Sequence, residues 1–168
     1  KRAAELQSVS EISSAVSTIL NQQELLERFV ELTRQRFNLY HAHIFILEND
    51  KRTLDVKACG WQDESLNGTH GTRTIDIEQP ISLVAQAART LQPVIVNNVR
   101  EDPTWLPNPL LPDVQSEMAI PVLAQEKLIG VLNIHSEKLN SFNENDAAIM
   151  TTLAAQMGAT IQNARLFD

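Results

Sequence analysis

The sequence predicts an α+β domain built on a mainly antiparallel sheet. Two observations carry this prediction. Apolar residues recur every three or four positions near both ends of the chain, which is typical of amphipathic helices. Between these ends the period shortens to two, and short polar turns separate successive strands, as they do in β-hairpins. The 168 residues are enough for one domain with its own core.

Helices are predicted at the start, in the middle and at the end of the chain. Residues 5–20 carry one apolar stripe, and a second helix is predicted to begin at Asn21 and to stop at Asn38. A middle helix is predicted to begin at Pro80, because a proline at the first helical position loses no hydrogen bond. The last helix follows Asn143, whose side chain can cap a helix N-terminus.

Strands fill the segments between the helices. The predicted strands cover residues 41–47, 53–61, 73–77, 93–96, 118–123 and 128–136. In the second of them Leu54, Val56 and Ala58 alternate with polar residues, which predicts that these three share one buried face. Between Asn97 and Glu117 the pattern breaks down in a connection rich in proline. Long connections of this kind are often binding loops.

The charge balance excludes several classes of partner. Fourteen basic residues against twenty-one acidic ones give a net charge of −7, without the basic face that nucleic acid or an anionic membrane requires. No apolar run is long enough to span a bilayer, and the first residues do not resemble a signal peptide. We therefore expect a cytoplasmic domain with no nucleic acid partner and no membrane contact.

Signatures of catalysis are absent from the sequence. It has no phosphate-binding glycine loop, no zinc-protease motif and no nucleophile elbow. Glu101 and Asp102 are neighbours in a polar segment and are interpreted as solvated. Cys59 is the one cysteine and is interpreted as a half-buried strand residue, since a reactive thiol needs a positive neighbour. We assign no catalytic residue, and an enzyme that uses Cys59 or the histidines stays an alternative.

Three histidines are so placed in the sequence that they could form a metal site. His41 and His43 share a face of one predicted strand, and His135 lies on a strand that could be its neighbour. Three imidazoles so placed could hold zinc. We interpret them instead as polar surface or interface residues and assign no metal ion. His70 lies in a polar loop and is not assigned as a haem ligand, so the sequence identifies no cofactor.

Large apolar residues in the proline-rich connection must pack against another part of the protein. Trp105 and Leu106 either fill the core or close a pocket between the connection and the sheet, since small-molecule sites are concave and apolar. For the second case the candidate ligand-binding residues are Ile75, Val84, Asn98, Asp102, Trp105, Leu106, Met118 and Ile120.

Both terminal helices carry apolar stripes that could pair across a homodimer. The stripe of the last helix has nearly heptad spacing, which favours helix pairing. The candidate dimer interface comprises Val9, Ile12, Val16, Met150, Leu153, Met157 and Ile161. The alternative is that these helices only cover the sheet.

Four stretches, taken together and in this order, resemble the GAF domain family. They are PVIVNNVREDP (93–103), SEMAIPVL (116–123), KLIGVLNIHS (127–136) and FNENDAAIMTTLAAQMGATIQNARL (142–166). The resemblance implies a GAF/PAS-like antiparallel sheet of about five or six strands. It places the terminal helices on one face and the middle helix and long loop on the other. We expect a linker or dimerisation helix over residues 1–21 and the GAF domain, with a C-terminal signalling helix, over residues 22–168.

The resemblance also implies a role but no particular ligand. It suggests a sensory or regulatory domain of a bacterial signalling protein, such as a histidine kinase or a cyclic-di-nucleotide enzyme. A small molecule would bind and the signal would pass through the terminal helices to an attached effector. The alternative is a dimerisation and spacer domain without a ligand.

Three ligand-binding or catalytic subsets of the family match the sequence poorly. Cyclic-nucleotide-binding members are similar at Phe142 and Asp146, but here Asn133 is not followed by lysine and Ala147 stands in place of glutamate. Members that attach a bilin need a cysteine that positions 97–117 lack. Free methionine sulfoxide reductase members need several cysteines, and this chain has one.

Overall fold

The computed structural model describes residues 22–66 and 73–167. One sheet contains the strands β1 (His41–Leu47), β2 (Thr53–Trp61), β3 (Thr74–Asp76), β4 (Val94–Val96), β5 (Ser116–Ala124) and β6 (Lys127–Ser136). The helices are α1 (Gln22–Arg36), α2 (Leu83–Thr90) and α3 (Glu144–Phe167). The predicted helix over residues 5–20, with Val9, Ile12 and Val16, and the loop residue His70 lie outside the described residues.

The strand order is β3-β2-β1-β6-β5-β4, and every neighbouring pair is antiparallel. The α+β prediction with an antiparallel sheet of five or six strands is therefore confirmed, with six strands present. None of the described helices is long and apolar enough to cross a bilayer.

Helices α1 and α3 cover one face of the sheet. Phe29 of α1 and Leu153 of α3 belong to one buried apolar cluster together with Ile44 of β1 and Ile134 of β6. All four side chains are almost fully removed from water. Burial of this apolar surface is the main force that holds the helices to the sheet.

Helix α2 and residues 97–115, which we call the proline-rich loop, cover the other face. Val84 and Ala88 of α2 pack in a second cluster with Phe45, Ala119 and Val131 of the central strands. The sheet thus separates two cores, and strands β1, β5 and β6 contribute to both because alternate side chains point to opposite faces.

The helix ends follow from particular side chains. Helix α1 is followed by Asn38, which has φ 51°, a left-handed conformation that stops a helix. Helix α2 begins after Ser82, whose Oγ accepts a hydrogen bond from the Ala85 amide at 3.0 Å. The predicted start at Pro80 is therefore wrong, because the serine side chain supplies the cap two residues later.

A side-chain cap determines where α3 starts, and a close contact with β5 determines the position of its middle. Asn143 Oδ1 accepts from the Asp146 amide, and Asp146 Oδ2 accepts from the Asn143 amide, each at 2.9 Å. This reciprocal cap confirms the predicted start. Further along, Gly158 lies so close to β5 that a Cβ there would be 2.1 Å from the carbonyl oxygen of Leu123.

A β-bulge in β2 changes which side chains face which core. Ile44 and Phe45 are adjacent in β1 but pair with Ala58 and Val56, so Lys57 is an extra residue. Val56 packs on the α2 side, whereas Ala58 packs beneath the terminal helices. The prediction that they share a face is wrong, because the extra residue reverses the alternation.

Candidate functional site

Two rows of paired residues cross the four inner strands of the sheet near one end, on the α2 side. The first row contains Glu117, His135, His41 and Trp61, and the second contains Ala119, Asn133, His43 and Cys59. Side chains directly opposite one another on neighbouring strands point to the same face. The register therefore gathers most of the buried polar groups of the sheet at one place beneath α2 and the proline-rich loop.

The carboxylate of Glu117 is the centre of this polar group. It is 7% exposed and accepts hydrogen bonds from Trp105 Nε1 at 3.2 Å and from Asn133 Nδ2 at 3.1 Å, while His135 Nε2 lies 3.4 Å away. Burial raises the pKa of the Glu117 carboxyl, but the interaction with His135 and the hydrogen bonds outweigh burial and lower the pKa. Glu117 is thus a buried anion at neutral pH.

The hydrogen bonds of Asn133 define the tautomer of His43. The Asn133 amide nitrogen donates to Glu117 and, at 3.1 Å, to the carbonyl of Met118, so its oxygen is left as an acceptor. His43 Nε2 lies 2.7 Å from that oxygen and must carry the hydrogen. The Nδ1 atom of His43 then has a free lone pair in the neutral ring.

His41 is the most enclosed of the described histidines. Its Nδ1 lies 3.1 Å from Nδ1 of His135, and its Nε2 is buried without a hydrogen-bond partner in the described part of the chain. Burial lowers the pKa of both His41 and His43 well below the usual value, and the neighbouring histidines add to the shift. Both rings are neutral at neutral pH.

A cavity of about 20 Å³ opens beside these side chains, which is room for one water molecule. Its lining comprises His43, Phe45, Arg73, Ile75, Ser82, Leu83, Val84, Leu106, Asn108, Glu117, Asn133 and His135. Burial lowers the pKa of Arg73 while Glu117 raises it, and the guanidinium stays cationic. The cavity therefore exposes one buried negative charge and one half-buried positive charge to the same small space.

A second hollow lies at the hairpin turns, away from α2. It has a volume of about 340 Å³ and is lined by residues such as Asn49, Lys51, Gln125 and Gln162. These side chains are mostly exposed, and the lining includes no buried charged group. The chemistry of the smaller cavity makes that cavity the candidate site.

Several predicted ligand-binding residues do meet at this cavity. Ile75, Val84 and Leu106 line it, and Trp105 reaches it through the hydrogen bond to Glu117. The structure places Asn98 and Asp102 elsewhere in the proline-rich loop. Asn98 precedes a short 3₁₀ turn, and Asp102 Oδ1 accepts from the amide and hydroxyl of Thr104. Leu106 also accepts a long hydrogen bond, at 3.5 Å, from Arg73.

Met118 and Ile120 lie on the opposite face of the sheet. Both are fully buried beneath α1 and α3, while Glu117 and Ala119 face the cavity side. Their assignment as ligand-binding residues is corrected here. A strand alternates with a period of two, so an error of one position in the phase moves every side chain to the other face.

The predicted dimer residues of α3 are also reassigned. Met150, Leu153, Met157 and Ile161 are between 0% and 3% exposed and belong to the core between α3 and the sheet. They leave no surface for a second chain, because one chain alone already covers the stripe.

Sequence reasoning missed Glu117, Asn133 and Arg73 as site residues. The signal for the first two was present, since each is a polar residue at a buried position of a largely apolar strand. A polar residue in a buried strand must find partners on its own face of the sheet. Arg73 carries no such signal, because it lies just outside β3 in a polar segment.

The sequence profile of the GAF domain family matches residues 20–162. The chain belongs to the GAF domain family. The resemblance predicted from the four sequence stretches is therefore confirmed. A search of the curated proteins found no significant match.

Solved structures with the same fold cover nearly the whole GAF domain. The free methionine-R-sulfoxide reductase from Neisseria meningitidis, in complex with its substrate, aligns at TM-score 0.85 and 20% identity, covering 100% of this chain and 94% of the other. The GAF domain of a phosphoenolpyruvate-protein phosphotransferase from Coxiella burnetii gives 0.85 and 20%, with 99% and 98% covered. The A. aeolicus nlh2 GAF domain in an inactive state gives 0.78 and 17%, with 96% and 97% covered. At these identities the likeness concerns the fold.

Proposed function

We propose that this GAF domain is a sensory or regulatory domain that binds a small zwitterionic molecule of the amino-acid type. The observation that carries the proposal is the pair Glu117 and Arg73 in the lining of one cavity. A buried carboxylate can accept hydrogen bonds from an ammonium group, and a guanidinium can donate to a carboxylate. The two side chains present complementary charges for the two ends of such a molecule.

Binding requires the proline-rich loop to move away from the sheet, because the cavity is only about 20 Å³. Few polar contacts hold the loop over this cavity. Trp105 Nε1 donates to Glu117, and Arg73 donates to the carbonyl of Leu106 over 3.5 Å. A ligand with an ammonium and a carboxylate would replace both contacts, so the energy of opening is offset by equivalent hydrogen bonds.

The signal would pass through the sheet to α3. Glu117 faces the cavity and its neighbour Met118 packs in the core that α3 covers. Gly158 of α3 lies close to the backbone of β5 at Leu123, so a shift of β5 acts directly on the helix. We propose that α3 transmits this shift to an attached effector such as a histidine kinase, with residues 1–21 as a linker or dimerisation helix of a homodimer. The ligand shifts this equilibrium only if its affinity for the two states differs.

We propose further that the domain itself is non-catalytic. The single cysteine, Cys59, cannot form a disulfide within the chain. Burial raises the pKa of the Cys59 thiol to about 12, so the thiol is protonated at neutral pH and is a poor nucleophile. The expected result is no reduction of free methionine sulfoxide by the purified protein with dithiothreitol. Turnover that is lost in Cys59→Ser would overturn this part of the proposal.

The binding proposal is tested by thermal unfolding with a panel of free amino acids, including methionine and its sulfoxide. Each is compared with the matching amine and the matching carboxylic acid. The expected result is a rise in Tm with at least one zwitterion and with neither single-charge analogue. Glu117→Gln and Arg73→Gln should abolish the rise. Glu101→Gln, which changes an exposed carboxylate of the proline-rich loop outside the cavity lining, is the matched control and should retain it.

A second function is favoured by the small size of the cavity. Trp105 already satisfies Glu117, and only one water fits beside them. The domain would then be a spacer without a ligand, in which the polar groups serve the fold. Absence of any Tm shift across the panel, for the wild type and for Trp105→Ala alike, would favour the spacer and contradict the zwitterion proposal.

A further inference from the structure

We propose that His41, His43 and Cys59 form a binding site for a single borderline-soft metal ion, Zn²⁺ or an ion with the same ligand preference. One donor atom of each residue lies within 4.8 Å of the donor atoms of the other two. His43 and Cys59 are directly opposite each other in the β1–β2 register, and His41 is two residues from His43 on the same face. Zn²⁺ with bonds of about 2.0–2.3 Å would draw the three atoms closer together by a small side-chain adjustment.

The hydrogen bonds behind His43 prepare it as a ligand. Asn133 accepts from His43 Nε2–H at 2.7 Å, which leaves the Nδ1 lone pair free. Asn133 cannot rotate to offer its nitrogen instead, because that nitrogen already donates to Glu117 and to the carbonyl of Met118. Metal-binding histidines commonly donate their other ring nitrogen to a fixed oxygen in this way.

A second series of hydrogen bonds leaves a ring nitrogen of His41 free to bind a metal ion. His135 Nε2 lies 3.4 Å from the Glu117 carboxylate, so in the uncharged form of this ring Nε2 carries the hydrogen and the lone pair is on Nδ1. His41 Nδ1–H then donates to that atom over 3.1 Å, which leaves the lone pair of His41 on Nε2. This Nε2 is the buried nitrogen that has no partner among residues 22–66 and 73–167. A metal ion would satisfy a polar atom that the fold otherwise leaves unpaired.

The donor set selects the class of metal. Two imidazole nitrogens and one sulfur suit Zn²⁺ and other borderline-soft ions, whereas Mg²⁺ and Ca²⁺ require oxygen ligands. Cys59 is half-buried, so solvent reaches part of this residue. On binding, the S–H bond breaks, the proton passes to solvent, and the sulfur pair forms the metal bond with no change of oxidation state. Three protein ligands leave a fourth position open.

The proposed site differs in one ligand from the three-histidine site suggested by the sequence, because Cys59 takes the place of His135. His135 lies behind His41 and orients it, and Cys59 takes the third position because the bulge at Lys57 turns it to this face. The metal proposal does not depend on the zwitterion proposal, since metal binding is measured without any organic ligand.

The test uses the purified chain, freed of metal with a chelator, and titrated with Zn²⁺ against a chromophoric competitor. We expect one Zn²⁺ per chain. Titration with Co²⁺ should produce a thiolate-to-cobalt charge-transfer band, which Cys59 alone can supply because the chain has one cysteine. Cys59→Ser should abolish the band and weaken Zn²⁺ binding at least about 100-fold, more than loss of an outer hydrogen-bond partner does.

Two further variants distinguish metal bound by His41, His43 and Cys59 from metal bound elsewhere at the surface. Cys59→His replaces sulfur by an imidazole, so Zn²⁺ binding should return without the charge-transfer band. Glu101→Gln removes an exposed carboxylate outside the three ligands, and binding should persist. The proposal is overturned if wild type gives no charge-transfer band with Co²⁺, or if Cys59→Ser binds Zn²⁺ as tightly as wild type. Should Cys59→Ser fail to fold, the wild-type cobalt spectrum alone still decides, because no other thiolate is available.

Discussion

The indole N–H of Trp105 donates a hydrogen bond to Oε1 of Glu117 across 3.2 Å. This contact joins the proline-rich loop to the start of β5. Trp105 is half-buried and packs at the margin of the apolar clusters beneath the loop, so one side chain contributes both a hydrogen bond and apolar contact. The contact between these two residues determines how closely the loop covers the cavity.

Removing the indole N–H of Trp105 should destabilise the fold, because the buried Glu117 carboxylate then loses a hydrogen-bond donor. Trp105→Phe keeps most of the apolar surface and is expected to lower the free energy of unfolding by about 1.5–3 kcal/mol, the range for a hydrogen bond to a charged group. Urea denaturation measures this. In a Glu117→Gln background the same substitution should cost clearly less, and equal costs in both backgrounds would show that the two residues do not couple.

The buried Glu117 carboxylate predicts how the stability of the fold changes as the pH falls. Its pKa in the folded protein lies below the ordinary value of 4.5, so the unfolded chain takes up the proton first as the pH falls. The stabilisation from the ionised group is present above pH 4.5 and is lost as the pH falls through the folded pKa.

This dependence is measured as the difference in free energy of unfolding between wild type and Glu117→Gln. The difference should be constant at neutral pH and should shrink below pH 4.5 by up to about 1.4 kcal/mol per pH unit. A difference that stays constant or grows under acid conditions contradicts the direction of the shift.

The close approach of α3 to β5 predicts that Gly158 tolerates no side chain. In Gly158→Ala the new Cβ would lie 2.1 Å from the carbonyl oxygen of Leu123, and backbone cannot yield as a side chain does. We expect a loss of about 1–3 kcal/mol, typical of overpacking. Gly60→Ala is the matched control, because its Cβ would meet a side-chain atom, Oε2 of Glu31, at 3.0 Å rather than the backbone. Similar losses for both would argue against the close approach.

The reciprocal cap at the start of α3 predicts a smaller effect. Asn143→Ala removes the acceptor for the Asp146 amide and should lower stability by about 1 kcal/mol. Asn163→Ala, at an exposed position within the same helix, should be neutral or slightly stabilising because alanine favours helix. Chemical denaturation of both variants checks this, and a cap variant as stable as wild type contradicts it.

The sequence was sufficient for the order of elements from residue 22 onward, for the hairpins and for the family. Local signals carried this result, such as the cap at Asn143, the short polar turns and the change of period between helix and strand. It failed where tertiary packing overrides a local signal. Ser82 rather than Pro80 begins α2, and the bulge at Lys57 divides a regular alternation between two cores.

The candidate site also has some residues that the sequence identified and others that only the tertiary structure identified. Sequence alone identified the loop with Trp105 and Leu106 and noticed His41, His43 and His135, because these depend on residue type and nearby spacing. It assigned Met118 and Ile120 to the wrong face of β5 and did not connect Glu117 with Arg73. Only the tertiary structure decided which residues meet, since the pairing register between strands distant in sequence determines which side chains share a face of the sheet.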